Sequence, residues 1–179
     1  MGQDSTDFIL APHETKKFVF KGDSTSHSRY FEITAQESSS IADIATAFFY
    51  YFVLDDRSQL STGSAPSVKS DSLIFSVEYN SMTNVGYAIC PTYNSGTPFQ
   101  IELSIFDRNG ILVAEENIDF IGYFSEFISQ RFPVIQSQSP FIGYVLVESQ
   151  RNIGLEVLRM DSDPRWFLFT STPPDNQVH

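Results

Sequence analysis

The residues able to carry chemistry are few and scattered along the chain. The three histidines, His13, His27 and His179, stand far apart. No pair has the i, i+4 or similar spacing that presents two imidazoles to one metal ion, so solvent-facing imidazoles are the expectation. Cys90 is the single cysteine, which excludes an intrachain disulfide and leaves it without a companion for a zinc site. At the end of an apolar run beside Pro91 it reads as a buried, inert thiol, because a thiolate nucleophile needs a positioned base and a lowered pKa. Serines are plentiful, yet no Gly-x-Ser-x-Gly elbow singles one out for acyl transfer. The glycines are scattered singly and form no phosphate-cradling loop.

Carboxylates cluster at Asp55-Asp56, Glu115-Glu116 and Asp161-Ser162-Asp163. Neighbours on one strand point to opposite faces, so an adjacent pair cannot by itself supply the two facing carboxyls of a glycosidase. Asp161 and Asp163, one residue apart, are the best candidates for a calcium site, with solvated strand ends and turns as the plainer account. Trp166, Tyr93, Tyr87 and Tyr79 lie near expected strand ends or loops, where a ring could stack on a sugar or a partner side chain. With 17 Phe and 8 Tyr in the chain, most rings must be core. No catalytic residue and no cofactor follows from these patterns.

The elements that would position such residues read as strands. Lys17 to Phe20 and Tyr30 to Thr34 are short apolar or alternating runs. Ile41 to Leu54 is apolar on both parities and reads as a strand covered on both faces, with an Ala-rich helix as the competing form. Ser58 to Ser72, rich in Ser, Gly and Pro, reads as a long connection. Beyond it, Leu73 to Tyr79, Val85 to Cys90, Phe99 to Phe106 and Ile111 to Asn117 are each of strand length. Asp107-Arg108-Asn109-Gly110 joins the last two, and Asn-Gly between alternating runs signals a hairpin whose two turn positions accept positive φ. Phe124, Phe127, Ile128 and Phe132 follow helical spacing up to Pro133, which predicts one short helix with an aromatic face near 124–131. Phe141 to Glu148, Gly154 to Met160 and Trp166 to Thr170 complete the strands, and the last few residues should fray. Tyr30 to Gln36 followed by Ile41-Ala42 echoes Tyr144 to Gln150 followed by Ile153-Gly154, a weak repeat of a two-hairpin unit.

The 179 residues suit one large domain or two small ones. A hydrophobic content of 41% is enough for a core without metal or disulfide, and no apolar run reaches the length that spans a bilayer. Eleven Lys and Arg against 22 Asp and Glu give a net charge of −11 and a field that repels phosphate backbones, so nucleic acid is not an expected partner. The opening Met1 to Thr6 formally fits a myristoylation pattern, but nothing basic follows to give a second membrane signal. It carries neither a basic nor an apolar leader region, and a mature chain with an added Met is the expectation.

From Leu73 onward the order of features resembles an uncharacterised β-sandwich module that recurs in secreted and cell-surface proteins of bacteria. The resemblance rests on Asn84 to Pro91, Ile101 to Gly110, Phe124 to Pro133, Phe141 to Ser149 and Ile153 to Arg159, about half of the chain, with the upstream hairpins resembling the end of a preceding copy. Cys90 departs from it, since such modules carry Asn before the proline. The same pieces have physical readings of their own: Gly86 suits a strand passed closely by a neighbour's backbone, and Phe132-Pro133 ends a helix packed on the sheet. The resemblance implies an extracellular structural or binding role and no catalytic residue.

Together these readings predict an all-β, immunoglobulin-like or jelly-roll-like antiparallel sandwich of about ten strands. It would form a single unit over 8–173, or two packed halves, 8–57 and 72–173, joined by the connection 58–71. The expected function is a non-catalytic extracellular structural, adhesion or protein-interaction module, partnered by a protein or cell surface or by itself through edge strands. The alternative is a carbohydrate-binding accessory domain, which requires a row of exposed aromatics. A hydrolase on a jelly-roll scaffold would instead require two opposed carboxylates in a concave face.

Overall fold

The computed structural model describes residues 9, 16, 48–54, 57–64, 69–91, 96–163, 166–171 and 175–176, with side chains described at 9, 16, 70–91 and 96–162. The expected strands at 17–20 and 30–34 lie outside these residues. The fold is all-β and antiparallel. A two-stranded ribbon of β1 (Phe48–Leu54) and β2 (Arg57–Ser64) stands apart in hydrogen bonding from an eight-stranded sheet. That sheet contains β3 (Lys69–Tyr79), β4 (Thr83–Pro91), β5 (Phe99–Asp107), β6 (Leu112–Phe120), β7 (Phe124–Phe127), β8 (Phe141–Asp163), β9 (Trp166–Ser171) and β10 (Asp175–Asn176).

The 23-residue β8 organises the sheet. Its first part, Phe141 to Ser149, lies between β3 and β5, while its second part, Ile153 to Asp163, lies between β4 and β9. Sequence periodicity divides this strand in two, because Ser149-Gln150-Arg151-Asn152 is polar. The structure instead runs one strand through that stretch. Between the pairs Ser72↔Glu148 and Ser70↔Ile153, residues 149 to 152 stand opposite Asp71 alone, and such excess chain on one side of a ladder bends and twists the strand. The sheet therefore curls. Tyr79 pairs with Phe141 and Thr83 with Asp161, and only the turn at residues 80–82 separates β3 from β4, so the two ends of β8 meet there. The limbs touch across the interior, where the Phe75 and Tyr87 rings lie 5.7 Å apart.

Period-two alternation supplies the filling. Leu73, Phe75 and Val77 of β3, Val85, Tyr87 and Ile89 of β4, and Phe99, Ile101, Leu103 and Ile105 of β5 are all buried, with Val145, Val147, Ile153, Leu155 and Val157 of β8. Each such side chain contributes roughly 1.5–3 kcal/mol on leaving water.

Three local expectations need correction. Residues 58–72 are not one loop, for Arg57–Ser64 forms β2 and β3 begins at Lys69. Its Ser and Gly content obscures a strand held by pairing with β1. The helix expected near 124–131 begins only at Ile128: Phe124–Phe127 is β7, paired with Gly86 to Ile89, and α1 (Ile128–Arg131) and α2 (Val134–Ser137) follow it. The ladder to β4 outweighs the helical spacing of the aromatics, while the Gln130 side chain accepts the Phe127 N–H at 2.9 Å to start α1. The hairpin at 107–111 has a three-residue loop in which Gly110 takes φ 79°. Its Asp107 carboxylate accepts the N–H groups of Asn109 and Ile111 at 2.8 and 2.9 Å, and the Ile111 contact above all holds this carboxyl below the usual range.

The close backbone approach expected at Gly86 occurs instead at Gly143. A Cβ on Gly86 would meet the Phe127 ring at an ordinary 3.5 Å, whereas one on Gly143 would lie 2.0 Å from the Phe106 carbonyl oxygen. Gly143→Ala is accordingly expected to separate β8 from β5 and to cost about 1–3 kcal/mol or more. Gly86→Ala should stay nearer neutral, and urea unfolding midpoints of the two variants measure the difference.

Candidate functional site

Two clusters of ionisable side chains stand out among the described residues, and each joins parts of the chain that are distant in sequence. In the first, β4 carries Tyr87 inward and β7 brings Glu126 opposite it in register. The Tyr87 hydroxyl donates to the Glu126 carboxylate, and Arg131 Nε of α1 donates to the same oxygen at 2.6 Å. The guanidinium also lies over the Phe124 ring, 5.9 Å from its centroid. Phe124 meets Tyr87 edge-on at 5.8 Å and Phe120 at 5.6 Å, and Phe120 meets Phe99 at 5.1 Å. A chain of rings thus crosses the core from Phe75 to Phe99, where Arg151 caps it at 5.3 Å.

Burial, and after it the bond to Glu126, pushes the Tyr87 hydroxyl far above the ordinary phenol range. The phenol therefore keeps its proton at physiological pH and donates it to Glu126. Burial is the largest single influence on Arg131 and opposes its charge, but the bond to Glu126, the Glu126 charge and the Tyr87 hydroxyl together outweigh it and raise the guanidinium pKa. The cluster is a pin that fixes β7 and α1 to the sheet.

The second cluster closes the curled end. Arg159 of β8 donates from Nη1 to Glu78 at 2.5 Å and from Nε to Asp161 at 2.9 Å. Asp161 also accepts the Thr83 hydroxyl at 2.8 Å. Asn80 accepts the N–H groups of Met82 and Thr83, and the Ser162 N–H donates to the Met82 carbonyl at 2.6 Å. The Arg159 bond, more than the contribution of Thr83, holds the Asp161 carboxyl below its usual range.

The residues singled out in the sequence do not converge. Tyr87 is 2% exposed and its ring is core, because the alternation of β4 turns it inward, so it offers no stacking surface. Tyr79 is half-buried and packs against that core. Tyr93, and with it His13, His27, His179, Asp55 and Asp56, lies outside the described residues. Trp166 is placed by its backbone in β9 opposite Asp163, and the side chains of both lie outside them. Asp161 is engaged by Arg159 and Thr83, and among the described residues no three His, Cys, Asp or Glu gather where a metal ion could sit. Cys90 is half-buried rather than fully buried, opposite Gly154. Glu115 and Glu116 are exposed on β6. Among the described aromatics, Phe75, Tyr87, Phe124, Phe120 and Phe99 form the interior chain; Phe106 and Tyr144, stacked at 5.0 Å, face outward and are half-buried.

Glu126, Arg131, Glu78 and Arg159 carry no sequence signal beyond being charges beside apolar runs, since their partners are up to 81 residues away. No family model matches the chain, and no curated protein matches it either.

Tyr87→Phe removes one bond and leaves Glu126 paired, so a loss of about 1 kcal/mol is expected. Glu126→Ala strands a buried hydroxyl and a guanidinium and should cost about 2–3 kcal/mol by guanidinium unfolding. Asp161 has its pKa lowered on folding, so its contribution is complete above about pH 4, the unfolded value, and disappears as acid protonates it. Arg159→Met should therefore lower stability by about 1 kcal/mol at neutral pH, with a deficit that shrinks below about pH 4 when thermal midpoints are followed against pH.

Proposed function

We propose that this chain is a non-catalytic structural or adhesion module that binds through its sheet edge, in the extracellular setting that the resemblance to bacterial surface modules implies. The observation that carries the reading is β6. Among the described strands it pairs with β5 alone, and its ends are marked by Ile111 and Ile121, 63% and 64% exposed. An open strand edge offers unpaired N–H and C=O groups to another strand. No helix among the described residues is long and apolar enough to cross a membrane.

The pattern of β6 suits a second copy. Antiparallel pairing of two such strands about Glu116 sets Ile111 of one copy against Ile121 of the other, and the two-fold axis repeats that contact. The same axis sets Glu116 against its counterpart and brings Glu115 beside it, so the apolar ends attract while the middle repels. Salt screens the repulsion and leaves the apolar attraction intact.

Sedimentation velocity over a concentration series is the test. A dimer that grows with protein concentration and with salt is expected, and Ile121→Lys should hold the chain monomeric. A monomer under all conditions, or a dimer indifferent to Ile121→Lys, overturns the reading.

A further inference from the structure

The outer face of the limb formed by β3, β8, β5 and β6 carries a charge arrangement that no described residue balances. Register places Ser72, Glu148, Glu102 and Asn117 in one row across the four strands, all on the face turned away from the core. Glu148 and Glu102 are directly opposite in two interior strands, a juxtaposition of like charges that destabilises a sheet. Glu115 and Asp119, both exposed, flank the row on β6. Arg131 and Arg159 are committed to the two clusters described above, and no described Lys or Arg forms a salt bridge with Glu102 or Glu148. At the end of the same row the Ser72 hydroxyl is buried, the residue only 6% exposed, and has no hydrogen-bond partner among the described residues.

Farther along the face the character changes. The next row is Ile74, Leu146, Ser104 and Glu115, and the one beyond it is Ser76, Tyr144, Phe106 and Leu112, with Ile142 54% exposed beside it. Acid at one end thus grades into aromatic and aliphatic surface at the other. A second copy laid on this face row for row sets carboxylates against carboxylates, and one turned end for end buries carboxylates against apolar surface, so the complementary occupant carries cations.

We infer that this face docks a basic segment of a partner protein, whose Arg or Lys side chains bridge Glu102 and Glu148 while its apolar residues cover Phe106, Tyr144 and Ile142. The inference rests on the reading of the chain as an interaction module but uses a different surface from the β6 edge. A guanidinium fork spans two carboxylates and supplies the charge that their opposition lacks.

Fluorescence anisotropy of a labelled oligo-arginine peptide titrated with the full chain tests it, with oligo-glutamate as the control peptide. Glu102→Gln/Glu148→Gln should weaken oligo-arginine binding about tenfold, equivalent to about 1.4 kcal/mol, and should raise the thermal midpoint because a like-charge pair is gone. Glu156→Gln/Asp163→Asn, which removes the same net charge from the second part of β8, should change binding less than about twofold, as expected for distant screened charges. Glu102→Lys should fold, melt above the wild type and lose the peptide. Equal weakening by the two double variants, or binding of oligo-glutamate as tight as that of oligo-arginine, overturns the inference. Peptide binding weakens with salt whereas self-association through β6 strengthens with it, so either proposal can fail while the other stands.

Discussion

A single strand that belongs to both limbs of the sheet is the constraint on which the rest depends. β8 donates and accepts along both edges, to β3 and β5 over its first part and to β4 and β9 over its second. Because the backbone is continuous, the bend at residues 149–152 sets how the limbs face each other, and every core contact between them inherits that geometry. A strand shared by two limbs of one curled sheet needs such a bend or bulge, since an unbroken ladder keeps it flatter.

The polar clusters follow from the same curl. Arg159 reaches Glu78 because the two ends of β8 return to the turn between β3 and β4. Glu126 reaches Tyr87 because β7 adds to the outer side of β4. Both clusters use charge to close gaps at the rim of an apolar interior, and each satisfies a carboxylate with more than one donor. Half-buried ion pairs of this kind contribute little individually, but removal of one member leaves another without its partner. The acidic row on the outer face is the opposite case: register forces two glutamates together and the described fold supplies no counter-charge.

Sequence reading recovered the strands that alternate cleanly, such as Leu73 to Tyr79 and Phe99 to Phe106, because the two-residue period is a local property of extended chain. It divided β8 at Ser149 to Asn152 because polarity there marks the bend as it would mark a loop. It missed β2 because Ser and Gly carry no strand signal and the partner β1 is what holds them extended. It placed a helix over Phe124 to Phe127 because aromatic spacing fits both a helical face and a strand whose rings pack on Tyr87 and Phe120. Among the candidate residues, Tyr87 was visible as an aromatic on a strand, but its inward direction depends on which face of β4 is covered. Asp161 was visible as an acid at a strand end, but its engagement by Arg159 and Thr83 depends on the register between β4 and β8.

The amino-acid order alone settled the class of the protein: alternating apolar residues, few charges and many aromatics require antiparallel sheet with one greasy side. It also settled that a hairpin turns between Asp107 and Ile111, since turn chemistry is written within five residues, although the three-residue form of its loop emerged only in the structure. Strand partners, the bend of β8, the opposition of Glu102 and Glu148, and the company kept by Tyr87 and Arg159 were decided only in three dimensions. Backbone hydrogen bonds between strands are chemically alike at every position, so the choice of partner is made by the packing of the whole interior and not by any segment acting alone.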